Sequence, residues 1–123
     1  MMQIVNTTPK VLKHQIEEAI AKAVADYRKD YPNNTGFTRK CTLNMETMVN
    51  LLLSMQGGSL KKELYDADID VTASAFVQQR NKIPWTVFED AFEHFNANCN
   101  DVKKYKGYRV LAIDGTTVNM ARN

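Results

Sequence analysis

Cysteine and histidine are scarce in this sequence. The two cysteines, Cys41 and Cys99, are far apart and outside any CxxC pattern, and the two histidines, His14 and His94, have no neighbours of metal-ligand type. Two isolated thiols do not make a disulfide scaffold, and their spacing does not match a zinc site. We therefore expect reduced thiols and a cytoplasmic protein.

Long hydrophobic runs are also absent. The longest, LLL at positions 51–53, is far too short to cross a bilayer. The N-terminal stretch MMQIVNTTPKVLKHQ contains no apolar segment of the signal-peptide kind. The chain has no internal repeat and no low-complexity tract. These absences argue against a secreted protein and against a membrane as partner.

A large excess of one charge is missing too. With 16 Lys and Arg against 14 Asp and Glu, the net charge is only +2, so any nucleic-acid binding must depend on where the charges lie. The remaining composition, 44% hydrophobic and 24% charged in 123 residues, is ordinary for a globular protein. It predicts one domain, or one small domain plus a piece of another, with a modest core.

The first helix of the chain has a clear start signal. Thr8 before Pro9 is a hydroxyl N-cap followed by proline at the first helical position, which predicts a helix over residues 9–29. Its apolar face follows from the helical spacing of Leu12, Ile16, Ile20, Ala23 and Tyr27.

Two further helices follow a basic linker. Asn44 is a cap for the second helix, which ends at the QGGS stretch, residues 56–59. Ser59 is in turn a cap for a short third helix over about 60–67. The apolar stripe of the second helix, predicted to be core, consists of Met45, Met48, Val49, Leu52 and Met55.

The last two predicted helices lie on either side of a proline. Thr72 is a cap for the fourth helix, and Pro84 ends it one or two residues earlier. Thr86 and Glu89 then form the T-x-x-E pattern of a capping box. This pattern predicts a fifth helix over about 87–98, whose apolar face holds Phe88, Ala91, Phe92 and Phe95.

The pattern changes from helical to extended after residue 100. VKKYKG is basic and loop-like, YRVLAI at 108–113 is typical of a buried strand, and TTVNM predicts a second strand joined to it through DG. Two strands cannot build a stable sheet by themselves. We therefore predict a helical domain over 1–100, and over 101–123 a linker and the first strands of an incomplete domain.

The third and fourth helices are joined by about four residues, a spacing that suits a helix-turn-helix. In such a unit the second helix enters the major groove, where Gln, Asn, Ser and Lys side chains bond to base edges or phosphates. The alternative is a helix pair inside a bundle that never meets DNA, with solvated lysines. The predicted DNA-contacting residues are Arg39, Lys40, Lys61, Lys62, Thr72, Ser74, Gln78, Gln79, Lys82, Lys103, Lys104 and Lys106.

One acid, Asp114, ends the strand predicted over 108–113 and precedes Gly115. A carboxylate at a strand end is a candidate catalytic residue and a candidate ligand for Mg²⁺ or Mn²⁺, ions that assist phosphoryl transfer. One carboxylate is not a two-metal site, however, and an IDG turn is also a frequent structural hairpin corner. The residues alone leave both interpretations open.

Three segments in this order, GFTRKCTLNMETMVNLLLSMQGGSLKKELYD, VTASAFVQQRNKI and YKGYRVLAIDGTTVN, resemble the N-terminal part of bacterial DDE transposases of the insertion-sequence-four type. The resemblance covers about residues 36–119 and implies a helical DNA-binding region followed by a ribonuclease-H-like catalytic core that uses Mg²⁺ or Mn²⁺. It also implies that Asp114, with Gly115 and Thr116, is the first acid of the triad. The second Asp and the Glu lie far downstream in the family and have no counterpart in this sequence.

We therefore expect the N-terminal fragment of a transposase, truncated and mainly α. Its helical bundle contains a helix-turn-helix-like pair, and a C-terminal β-hairpin would open the ribonuclease-H-like core. Its expected function is to bind duplex DNA at the ends of a mobile element in the bacterial cytoplasm, without catalysis and without tight metal binding. The alternative is a protein-interaction module that forms a homodimer, or that binds and inhibits full-length transposase.

Overall fold

A computed structural model of the chain describes residues 8–33, 37, 42–98, 104–110 and 115. Within these residues the chain is mainly helical, with five helices and one small antiparallel hairpin near the C-terminus. The elements are α1 (Pro9–Asp30), α2 (Met45–Ser54), α3 (Leu60–Asp66), α4 (Ala73–Arg80), α5 (Trp85–Asn98), β1 (Lys104–Tyr105) and β2 (Tyr108–Arg109).

Four helices begin at the predicted caps. The side-chain oxygen of each cap accepts the backbone N–H three residues further on, at Thr8, Asn44, Ser59 and Thr72, over 3.4, 2.8, 3.4 and 3.1 Å. Each bond satisfies a donor that the first turn of a helix leaves without a partner. The predicted starts of α1 to α4 are confirmed.

The capping box predicted for α5 is wrong. The helix begins at Trp85, two residues early, so Thr86 lies inside its first turn and Glu89 within the helix. Pro84 directly precedes the helix, and its carbonyl accepts the Val87 N–H over 3.2 Å. Proline suits a helix start because its φ is already helical and no N–H is needed there.

The larger core cluster joins α1, α2 and α5. α1 packs chiefly against α5 and less extensively against α2. His94 Nε2 lies 2.9 Å from Asp26 Oδ2 and adds a polar contact between α1 and α5 at the edge of this core. The buried members are Ile20, Ala23, Val24, Tyr27, Met45, Val49, Val87 and Ala91.

A second cluster joins α3 and α4 to an adjacent face of α2. Its buried members are Leu43, Met48, Leu51, Leu64 and Phe76. α2 therefore supplies side chains to both clusters, and the half-buried Phe37 and Ile83 pack against both. The predicted methionine-rich core stripe is confirmed at Met45 and Met48, and Met55 is half-buried against the second cluster.

The apolar faces predicted for α1 and α5 are only partly buried. On α1, Ile20 is buried, but Leu12 and Ile16 are exposed, because the buried core shared with α2 and α5 involves only the later turns of α1. On α5, Ala91 is buried, while Phe92 is 67% exposed. Helical spacing places a residue on a face, but the extent of the neighbouring helices decides how much of that face is covered.

The hairpin that the structure describes is not the one predicted through DG. VKKYKG was expected to be a loop, yet its Lys104–Tyr105 is β1, which pairs with β2 in the register Lys104↔Arg109 and Tyr105↔Tyr108. The two turn residues, Lys106 and Gly107, have φ of 48° and 85°. Positive φ at both central positions is typical of the tight turns that match the twist of a hairpin.

The strand predicted as buried is exposed where the structure describes it. Tyr108 and Val110 are 76% and 65% exposed. An apolar run favours a strand but does not supply the layer that would cover it. The predicted DG hairpin and its second strand rest on residues 111–114 and 116–120, which lie outside the described residues.

Candidate nucleic-acid interface

The link between α3 and α4 is a defined helix end followed by a capped helix start. It contains six residues, 67–72, rather than about four. The Ile69 N–H donates to the Leu64 carbonyl and the Asp68 N–H to the Tyr65 carbonyl, both over 3.0 Å. Asp68 has a φ of 55°, so these bonds form a Schellman motif with an aspartate in the left-handed position. The turn therefore directs the chain into α4 by local hydrogen bonds.

Packing and capping together position α4. Phe76 is fully buried against Leu64 and α2, and the Thr72 hydroxyl is occupied as the N-cap. The opposite side of α4 is exposed at Ser74, Gln78 and Asn81, which are spaced as neighbours along one helical row. α4 therefore presents a short polar row directly opposite its buried aromatic ring.

The other predicted contact residues of this unit differ in accessibility. Lys82 is exposed, while Gln79 is half-buried and offers less of its amide to a ligand. Arg80 is exposed on the last turn of α4, beside Lys82, although it is not in the predicted set. Its one-turn spacing from Phe76 suggests an inward position, and only the structure shows that the helix end leaves it accessible.

Charge is balanced across this unit. Residues 59–83 hold four basic and four acidic side chains, and three of the acids, Asp66, Asp68 and Asp70, lie at or near the turn. With Lys61 they line an open cleft of about 990 Å³ between α3 and the start of α4. A phosphate backbone is therefore attracted to the end of α4 that carries Arg80 and repelled by the turn.

Lys62 is engaged within its own helix. It forms an ion pair with Asp66, one turn further on, and this hydrogen bond raises the pKa of the Lys62 amine. The amine therefore stays charged through neutral and moderately alkaline pH, and the pair is lost as the pH rises through the raised pKa. To contact a phosphate, Lys62 must give up or share its contact with Asp66.

The hairpin carries a separate group of cations. Lys104 and Lys106 are exposed, as expected for DNA-contacting residues, and Arg109 is exposed beside them. Arg109 is not in the predicted set of contact residues. Predicted contacts that lie outside the described residues are Arg39, Lys40 and Lys103.

The predicted metal ligand Asp114 also lies outside the described residues. Among those that are described, no group of three or more His, Cys, Asp or Glu side chains is arranged to hold a metal ion. In the same part of the chain, no helix combines the length and the apolar character needed to cross a membrane.

Comparison with known proteins gives no relative. The chain matches no protein-family model, and no curated protein and no solved structure matches it significantly.

Proposed function

We propose that the helical region binds duplex DNA through α4, as a DNA-binding part of a transposase of the insertion-sequence-four type. The observation that carries the proposal is the exposed row of Ser74, Gln78 and Asn81 opposite the buried Phe76. A recognition helix needs this arrangement, because one side must be held by a core while the other carries hydrogen-bonding groups into the major groove.

The chemistry of the row suits base edges. The amides of Gln78 and Asn81 each offer a donor and an acceptor, the pattern that pairs with adenine in the major groove. Arg80 and Lys82 lie at the same end of α4 and supply cations for the adjacent phosphates. The acids of the turn before α4 repel phosphates from the start of the helix, so DNA is expected to approach the end that carries Arg80 and Lys82.

The test is a titration of the full chain with duplex DNA from the ends of the mobile element that encodes it, against random duplex, at two salt concentrations. Gln78→Ala is expected to reduce the preference for the end duplex by about 5- to 150-fold, the range for loss of one bidentate base contact. The matched control is Gln56→Ala, which removes an exposed glutamine outside the row. Equal affinity of the unmodified chain for end and random duplex would overturn the specific-reader proposal.

A second candidate function, a homodimerising module, is favoured by an exposed groove between α1 and α2. Leu12, Ile16 and Leu53 are exposed and line an apolar depression of about 430 Å³, called here the α1 groove. Beside it, Lys13 and Glu17 form an ion pair along α1 at 3.9 Å. An antiparallel copy of α1 would place opposite charges across the groove, so a second copy of this chain is the occupant we propose.

This candidate is tested by measuring molar mass against concentration. Leu12→Asp is expected to abolish a dimer, because it places a charge in the groove. The control is Val11→Asp, which puts the same charge on the same turn of α1 but outside the groove lining. A monomer at all concentrations would contradict homodimerisation.

The alternative partner is full-length transposase. Its binding is tested by co-elution with this chain, using the same two variants.

A further inference from the structure

The hairpin places two cations directly opposite each other. Its register pairs Lys104 with Arg109, and like charges across a strand pair are destabilising. No ion pair joins either of them to an acid within the described part of the chain, and the sequence from 102 to 113 contains no Asp or Glu. A hairpin with two-residue strands has little stability with which to offset this repulsion. An anion bound between the two cations would remove it.

The other cross-strand pair consists of two exposed tyrosines. Tyr105 pairs with Tyr108, and the two are 65% and 76% exposed. Because successive side chains in a strand point to opposite faces, the tyrosines share one face and the Lys104–Arg109 pair the other. Lys106 Nζ lies 5.4 Å from the centroid of the Tyr105 ring, which brings a further cation to the aromatic face.

We propose that this hairpin binds single-stranded DNA. Exposed aromatic rings stack on unpaired bases, and cations follow the phosphate backbone of the same strand. In a duplex the base faces are covered by stacking, so the two tyrosines favour unpaired bases over paired ones. The inference rests on the proposed DNA-binding function and adds a second site, which would engage unpaired nucleotides while α4 reads the duplex.

The test uses the full 123-residue chain and a fluorescent twelve-nucleotide oligothymidine, compared with a blunt duplex of equal length and with oligouridine. Tyr105→Leu and Tyr108→Leu are each expected to weaken oligothymidine binding by about 5- to 150-fold, on the scale measured for base stacking. Tyr105→Phe keeps the ring and is expected to keep the affinity. The matched control is Tyr65→Leu, which replaces an 84% exposed tyrosine on α3.

The contribution of the cations to binding is measured separately, from the salt dependence of the affinity. Arg109→Gln, which leaves the tyrosine pair intact, is expected to reduce the slope of log affinity against log salt concentration by about 0.7, the contribution of one phosphate contact on a single strand. Cross-strand nuclear Overhauser effects between the two strands show that each variant keeps the hairpin. This separates loss of a contact from loss of the fold.

Three outcomes would overturn the inference: binding of oligothymidine no tighter than of the blunt duplex, equal losses for Tyr105→Leu and Tyr65→Leu, or tighter binding of oligouridine than of oligothymidine. The proposed function of α4 fails separately. Gln78→Ala acts on the duplex preference, whereas the hairpin variants act on oligothymidine, so a failure at one site is distinguishable from a failure at the other.

Discussion

Phe76 is the residue that most directly sets the position of α4. It is fully buried in the cluster shared by α2, α3 and α4, while Ser74 and Gln78 on the same helix are exposed. The contrast follows from the period of the helix, because residues two positions apart point to nearly opposite sides. One buried ring therefore determines which polar groups face outward.

Replacing Phe76 is expected to be costly. Phe76→Ala should lower the free energy of unfolding by about 3–5 kcal/mol, because it removes buried apolar surface and leaves a cavity. Gln78→Ala, on the exposed side of the same helix, should change it by less than about 0.5 kcal/mol. Urea unfolding followed by circular dichroism measures both. Similar losses for the two variants would contradict the orientation of α4.

Two threonines test the difference between a cap and a helical residue. Thr72 Oγ1 accepts the Ala75 N–H, whereas Thr86 lies within α5. Thr72→Ala should cost about 1 kcal/mol of stability, and Thr72→Ser should retain most of the wild-type value. Thr86→Ala should be close to neutral, since alanine has the higher helix propensity. A larger loss of stability for Thr86→Ala than for Thr72→Ala would support the capping box predicted for α5.

At the scale of elements, short-range hydrogen bonds account for most helix boundaries. The caps of α1 to α4 and the Schellman motif after α3 each join residues three to five positions apart. Such signals are visible in the sequence because the partners are close together in it. The hairpin depends instead on backbone conformation at Lys106 and Gly107, where a lysine occupies a left-handed position that sequence patterns seldom assign to it.

The turn predicts a difference between two glycines. Gly107 has a φ of 85° and no atom within 4 Å of an added Cβ, so Gly107→Ala should destabilise the hairpin by backbone strain alone, by about 1 kcal/mol. Gly115 has equal space but no left-handed φ, and Gly115→Ala should leave the hairpin unchanged. Nuclear Overhauser effects between Tyr105 and Tyr108 report its population. Persistence of the hairpin in Gly107→Ala would show that the turn has another conformation.

At the scale of the whole molecule, α2 connects the two clusters. It contributes Met45 and Val49 to the first and Met48 and Leu51 to the second. α3 and α4 have a small buried surface of their own and depend on this connection. The candidate DNA-binding surface is therefore coupled to the α1–α5 core through adjacent faces of one short helix.

This arrangement predicts a single cooperative unfolding transition. Ile20→Ala in the first cluster and Met48→Ala in the second should each lower stability by about 2–5 kcal/mol. In both variants the midpoints from far-ultraviolet circular dichroism and from Trp85 fluorescence should move together. The exposed Leu53 provides a control, because Leu53→Ala removes little buried surface. Separate midpoints for the two probes would show that the clusters unfold independently.

The two candidate sites differ in how much of each could be predicted from the sequence. Two members of the polar row of α4, Ser74 and Gln78, were among the predicted contact residues, because their types suit base edges and phosphates. Arg80 was not in the predicted set, because its one-turn spacing from Phe76 suggests an inward position. The structure leaves it exposed, since no further helical turn follows to cover it. For the hairpin segment the sequence predicted only individual lysines as DNA contacts. It did not predict the pairs Lys104–Arg109 and Tyr105–Tyr108, because these depend on the strand register.

The sequence by itself determined the mainly helical class, four of the five helix starts and the inward placement of Met45 and Met48. Capping, glycine and proline act within a few residues, and helical periodicity repeats along one segment, so these features need no knowledge of distant contacts. Only the tertiary structure decided that Leu12, Ile16 and Phe92 remain exposed, that α2 serves two clusters, and that the hairpin displays its tyrosines. Burial depends on which other elements arrive to cover a surface, and a pattern within one segment does not contain that information.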